Sequence, residues 1–299
     1  MKTNIVLSLV ALLAALFPVP YAAAKVRIVT STMDLASIAQ AIGGANVEVT
    51  SLAKGRSDPH YVEVLPSYMV KVSKAQIYLK VGLDLDRWAD QIIDGSRNSR
   101  LIVVDCSGGV APLNVPTGKI DASMGDVHPR GNPHYWLDPE NGLVIAGSVV
   151  AALQRVDAAH ASDYQAGYER FESLLRAKQR EWALVVERVR GMEIVTFHDT
   201  WPYFCAAFGI EVQGFVEPKP GIEPTPSHTA GIIELIKARE ITVIGVEPYF
   251  SARTADVIAR ETGARVVTLP PSVGGVEGAD GYFELFDVLL ATLAREGGR

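Results

Sequence analysis

The chain has 299 residues, 34 acidic against 28 basic side chains for a formal charge of −6, and 48% apolar residues. A mildly acidic globular composition argues against a nucleic-acid partner, because phosphate backbones are held by clustered Lys and Arg. The length also exceeds what one hydrophobic core ordinarily organises, so two lobes are expected.

The chain opens with Lys2, an apolar run from Ile5 to Phe17 and the small residues Ala22-Ala23-Ala24. This is the pattern of a cleaved export signal over residues 1–24, whose removal takes only Lys2 from the charge count. The apolar run is too short and poorly flanked to span a bilayer, and no later segment offers about 20 uninterrupted apolar residues. No cysteine follows the cleavage region, so a lipid anchor is not expected and the simplest location is a periplasm.

From Lys25, short β-branched runs alternate with helical patterns. Strands are expected at Val26–Val29, Val47–Leu52, Gln76–Val81 and Leu101–Val104, with helices at Thr32–Ile42, Pro66–Ala75 and Asp86–Ile93. That rhythm predicts a parallel sheet wrapped by helices, a first α/β lobe over residues 25–158. Residues 159–191 then read as one connecting helix. Between Ser162 and Arg190 no glycine follows Gly167 and there is no proline, while Tyr164, Phe171, Leu175, Trp182 and Val189 recur at near-helical spacing. A second α/β lobe follows over residues 192–299, with strands at Glu193–Phe197, Ile210–Val216, Thr242–Val246 and Arg265–Leu269 and helices at Trp201–Phe208, Ser227–Arg239 and Ala252–Glu261. A helical connector permits less hinge motion than flexible strands, so a large clamshell movement is not expected.

Three of the six histidines stand in stretches built alike: Asp58-Pro59-His60-Tyr61, Asn132-Pro133-His134-Tyr135-Trp136-Leu137-Asp138-Pro139 and Phe197-His198-Asp199-Thr200-Trp201-Pro202. Proline and carboxylate neighbours fix a loop and can hold an imidazole by its second nitrogen, as metal-ligand histidines usually require. His60 and His198 both lie past strand ends, where open parallel sheets bind ligands. His134 follows a Gly-, Pro- and Asp-rich loop over Pro112–Pro133. Three imidazoles and one carboxylate satisfy zinc in a tetrahedron. For the fourth corner the best candidate is Asp280, in the loop Gly274–Tyr282 after the last strand, with Glu277 as its local rival.

In this order and context the motifs resemble the cluster A-I solute-binding proteins of bacterial ABC transporters, the zinc and manganese receptors, across essentially the whole chain after the signal. The resemblance places metal ligands on His60, His134, His198 and Asp280, and Gly214–Gly221 is similar to a segment in one branch of that family. It implies a receptor, probed as a monomer, that passes metal to a membrane permease driven by an ATPase, with a periplasmic metallochaperone as a further conceivable partner. Manganese receptors carry Glu where this chain has His198, and nitrogen-rich tetrahedral sites suit zinc, so Zn2+ is the expected cargo with Mn2+ or Fe2+ as the alternative. One departure stands out. Many zinc receptors carry a long His- and acid-rich loop before the second ligand, whereas Gly118–Pro133 offers only Asp121, Asp126 and His128, the last a candidate for a transient contact during loading.

Other readings compete at several positions. A zinc hydrolase would keep one coordination position open for water, but the chain lacks the His-Glu-x-x-His pairing of one protease class, and no enzyme is expected. His160 and His228 stand at helix beginnings as capping or surface residues. Asp138 and Asp199 are either partners of the ligand histidines or ordinary turn residues, and Glu217 reads slightly better as a solvated turn residue than as a cleft carboxylate. Tyr135, Trp136 and Trp201 could wall the site or simply pack the core. Cys106 and Cys205 read better as buried thiols than as a disulfide.

Overall fold

The computed structural model describes residues 24–118, 125 and 127–297. Apart from Ala24, the expected export signal lies outside the described residues, as do Asp121 and Asp126 of the expected loop.

The first sheet contains β1 (Val26–Thr30), β2 (Val47–Ser51), β3 (Ile77–Lys80) and β4 (Ile102–Asp105), interleaved with α1 (Met33–Gly43), α2 (Pro66–Ser73) and α3 (Trp88–Ser96). Its strands are all parallel, in the order β2-β1-β3-β4. After α4 (Pro139–Val156) and α5 (Ala161–Val186), the second sheet brings β5 (Glu193–Thr196), β6 (Glu211–Phe215), β7 (Val243–Val246) and β8 (Arg265–Thr268). Between these strands run α6 (Pro202–Phe208), α7 (Pro226–Arg239) and α8 (Arg253–Thr262), and α9 (Tyr282–Glu296) closes the chain. The order β6-β5-β7-β8, again parallel, repeats that of the first sheet. In both sheets the chain steps outward once and then crosses back over its first strand. This places a topological switch point, the usual ligand crevice, at the carboxyl ends of β1/β3 and β5/β7.

Two helices go beyond the sequence reading. Helix α4 starts where Asp138 accepts the Glu140 N–H at 2.9 Å, with Pro139 in the first turn, a cap that was absorbed into the His134 motif when read from sequence. Its Ile145, Ala146, Val149, Val150 and Leu153 are buried at helical spacing. Helix α9 was masked by the glycine-rich loop before it, yet Phe286, Leu289, Leu290 and Leu293 form a fully buried stripe.

Helix α5 runs about 40 Å at 1.5 Å per residue and joins the lobes. It ends at Val186 rather than near Arg190, where tighter turns carry the chain to Gly191 at φ 71°. Its buried Tyr164, Phe171, Leu175, Trp182 and Val186 are spaced seven and four residues apart, one continuous apolar face. Near its start the face meets α1 so closely that a Cβ on Gly167 would sit 2.2 Å from the Ile42 carbonyl oxygen. Farther along, the Trp182 ring packs against Phe208 of α6 and Phe286 of α9. One apolar cluster therefore runs from Ile28 and Ile38 in the first lobe to Phe204 and Leu289 in the second.

Polar contacts tie the same seam. Asp34 at the start of α1 accepts the Val273 N–H at 2.9 Å, Trp136 Nε1 donates to the Pro271 carbonyl at 2.8 Å, and the Tyr282 hydroxyl donates to the Trp136 carbonyl at 2.7 Å. Gly55 lies so near the Val273 carbonyl oxygen that a Cβ would approach it to 2.0 Å. Among the described residues no helix is long and apolar enough to cross a membrane.

Candidate metal centre

The first two histidine turns share one local device. In Asp58-Pro59-His60 the Asp58 carboxylate accepts the His60 backbone N–H at 2.9 Å and the same ring's Nδ1 at 2.7 Å. In Asn132-Pro133-His134 the Asn132 amide oxygen takes the His134 N–H and Nδ1, both at 3.0 Å. An Asx side chain bonding two residues onward makes the turn, and the intervening proline fixes φ and offers no competing N–H. Because both partner oxygens are acceptors, Nδ1 carries the proton and the Nε2 lone pair is available to a cation. Trp88 pins the first turn from outside by donating Nε1 to the Pro59 carbonyl at 2.9 Å.

His198 is held differently. It leaves the carboxyl end of β5, and its Nδ1 is paired with the carboxylate of Glu217, which leaves the neighbouring β6. The second Glu217 oxygen accepts the Gly221 N–H at 3.3 Å. From the end of β7, Glu247 accepts Thr200 Oγ1 at 2.6 Å and Trp201 Nε1 at 3.0 Å, fixing the residues that follow His198. Three adjacent parallel strands thus build this half of the site from their carboxyl ends.

The two halves meet. One ring nitrogen each of His60, His134 and His198 lie within 4.8 Å of one another, and the ring centroids are 5.2 to 5.7 Å apart. Asn132 joins the halves directly, since its Nδ2 donates to the Asp199 carbonyl at 2.6 Å while its oxygen holds His134. The Nε2 atoms of His60 and His134 are buried without a hydrogen-bond partner. A buried acceptor left unpaired costs about 1–3 kcal/mol, a penalty that a bound cation would remove.

Electrostatics sort the rings. Burial, reinforced by the neighbouring imidazoles, holds His134 well below the ordinary histidine range, so it stays neutral as a metal ligand must. Burial also presses His198 downward, but the Glu217 carboxylate outweighs it and leaves that ring above its ordinary value. Burial pushes Glu247 up to about 7.

Several sequence expectations change here. Asp280 does not join the group: it is exposed, as is Glu277. The loop is closed by the Gly274 N–H on the Ala279 carbonyl at 2.6 Å, Ala279 is fully buried, and the Tyr282 N–H is held by Ser37 Oγ at 3.0 Å. With positions 279 and 282 fixed inward, position 280 turns out to solvent. Glu217, read as a solvated turn residue, is only 4% exposed and belongs to the site. Its partnership with His198 spans 19 residues and leaves no local signature.

Asp138 serves as the α4 cap. Asp199 lines the small cavity beside His134 and His198, its carboxylate accepting the Asn114 amide at 3.4 Å. His160 pairs with Asp157 at 2.8 Å and His228 with the Phe215 carbonyl at 2.9 Å, both away from the group. Tyr135, Trp136 and Trp201 are all buried, with the Trp136 ring 5.4 Å from that of His134. Cys106 and Cys205 are buried free thiols.

Two repeated parallel α/β lobes, one long connecting helix and a buried imidazole cluster between them define a metal-binding solute-binding protein of cluster A-I. Residues 28–296 match the family described as zinc-uptake complex component A periplasmic, and the chain belongs to that family. It is 24% identical over 282 residues to the iron-binding protein YfeA of Yersinia pestis, spanning 93% of this chain and 88% of that protein. To the high-affinity zinc uptake system protein ZnuA of Brucella abortus it is 30% identical over 161 residues, 54% of this chain and 47% of that protein. A crystal structure of ZnuA shares the fold with a TM-score of 0.79 at 24% identity, over 92% of this chain and 100% of that one. The structure of FpvC from P. aeruginosa in complex with Ni2+ gives 0.76 at 24% identity, over 91% and 96%.

Proposed function

We propose that this protein is a periplasmic zinc receptor that captures Zn2+ between its lobes through His60, His134 and His198 and hands it to an ABC import permease with its ATPase. One observation carries the reading: imidazoles from both lobes converge, with each Nδ1 held by an oxygen and with buried, unpartnered Nε2 atoms on His60 and His134. Zinc with nitrogens at about 2.0–2.1 Å in a tetrahedron needs them about 3.4 Å apart. Small side-chain rotations from separations of up to 4.8 Å achieve this, so capture needs no large lobe movement. Metal bridging both lobes also couples loading to their fixed arrangement, which a permease can read.

Three neutral nitrogen donors favour zinc over the oxygen-rich, higher-coordination preference of manganese. Likeness to an iron-binding protein supports Fe2+ or Mn2+ as the second reading. The protein makes and breaks no bond in this role. It acts as a soluble monomer after removal of residues 1–24, without a lipid anchor, and a periplasmic metallochaperone is a compatible donor. Equilibrium competition between Zn2+, Mn2+ and Fe2+ at matched free concentrations tests the assignment. Zinc should win by orders of magnitude, and a preference for manganese or iron overturns it.

A further inference from the structure

The three imidazoles leave a fourth tetrahedral corner, and the exposed side chain of Asp280 does not turn toward it. The side chain that faces the group is His128. Its ring centroid is 5.3 Å from that of His60, the same spacing as His60 keeps to His134 and His198. Its Nε2 is buried with no hydrogen-bond partner, as are those of His60 and His134. Together with His134 and His198 it lines a cavity of about 60 Å³, room for little more than an ion or one or two waters.

The ring is also held in the manner of a ligand. It hydrogen-bonds to the Leu83 backbone, which orients it as Asp58, Asn132 and Glu217 orient the other three. The turn behind it is built into the first lobe: the His128 carbonyl accepts the Gly131 N–H at 3.1 Å, and the Arg130 guanidinium reaches both Asp84 oxygens at 3.3 Å. Gly131 sits at φ 106° with no room for a Cβ between Pro112 and the Leu113 carbonyl, so the turn is fixed at both ends. A surface histidine has no reason to bury one nitrogen unpaired beside three other imidazoles, since the desolvation is uncompensated.

We propose that His128 is the fourth ligand, so that the cargo ion is held by four imidazole nitrogens and the loop before His134 closes the site from the first-lobe side. The inference rests on the reading of His60, His134 and His198 as ligands. A four-nitrogen, carboxylate-free shell favours borderline and softer divalent cations, Zn2+, Co2+ and Ni2+, over Mn2+. It also makes loading and release a matter of moving one loop residue, with the other three ligands left on their anchored turns.

The test uses the full mature protein loaded with one equivalent of Zn2+, examined by X-ray absorption fine structure, whose outer-shell scattering counts imidazoles. Four imidazoles in the wild type and three plus a lighter donor in His128→Ala are expected, with zinc affinity at least about tenfold lower in the variant. Co2+ loading gives a second readout, as the tetrahedral visible bands should change in intensity and position in His128→Ala. Three imidazoles plus an oxygen in the wild type overturn the proposal, and Asp199→Asn then identifies whether that oxygen is the carboxylate lining the same cavity. Weaker binding by His128→Ala with an unchanged wild-type-like scattering count also overturns it, assigning the residue to ion gathering instead. If His134→Ala binds zinc as tightly as wild type, the underlying three-histidine reading fails, whatever His128 does.

Discussion

The two lobes repeat one sheet order, yet they hold their histidines by opposite means. In the first lobe His60 and His134 are oriented by the residue two positions earlier, so each turn is nearly complete within a tripeptide. In the second, His198 depends on Glu217 from the next strand, and its following residues depend on Glu247 from the strand beyond. The first arrangement survives wherever the loop is placed, while the second exists only once β5, β6 and β7 are in register. This difference makes the second half the more rigid platform, and the first half, with its independent turns, the part able to adjust as an ion enters.

The largest effect should come from removing a ligand on either side. Loss of an orienting partner typically costs about 10–100-fold in metal affinity, and loss of the ligand itself should exceed that. His198→Ala and His134→Ala are each expected to weaken zinc binding by more than about 100-fold in competition with a chelating dye. A next smaller effect separates the lobes. Glu217→Gln keeps one acceptor but loses the charge and the contact to the Gly221 N–H, and should cost about tenfold or more. Asp58→Asn gives the first turn the same Asn-Pro-His chemistry that already works at His134, so its cost should stay well below that of Glu217→Gln. Equal losses in the two variants would break the distinction between local and tertiary support.

The seam between the lobes offers a pH test independent of metal. Burial pushes Asp34 up to about 6 from 3.8, although Val273 and its other donors pull the other way. The folded state therefore keeps a proton that the unfolded chain releases, so stability is lost as pH rises from about 4 to about 6. A shift of that size corresponds to about 2–3 kcal/mol. Urea denaturation of the apo-protein across that window should show this slope in wild type and lose it in Asp34→Asn; identical slopes would remove Asp34 from the seam. The smallest effects belong to His160→Ala and Asp280→Asn, both expected to change zinc affinity by less than about twofold. A tenfold loss in Asp280→Asn would restore the carboxylate as a ligand.

Much of this was legible beforehand. Alternating β-branched runs and capped helices reveal two parallel sheets, because the parallel crossover demands that rhythm, and the long apolar stripe from Tyr164 to Trp182 reveals the connector. Helices α4 and α9 were hidden because Asp138-Pro139 and the loop before Tyr282 carry turn chemistry that also serves as helix capping. At the site, Asp280 looked inviting because a carboxylate in a glycine-rich loop past a strand commonly reaches a crevice. Its side-chain direction was instead set by Ala279 packing inward and by the contact of Ser37 with Tyr282, neither of which has a sequence signal.

The sequence by itself determined the chemistry of the site: three proline-flanked imidazoles, two of them already oriented by an Asx residue two positions back, because those bonds close within a single turn. Only the tertiary structure decided the company they keep. Glu217 behind His198, Asn132 bridging to the Asp199 carbonyl, and His128 facing His60 are contacts across strands and loops. Their partners are chosen by sheet register and by the shared core beneath α5, which no local pattern of residues encodes.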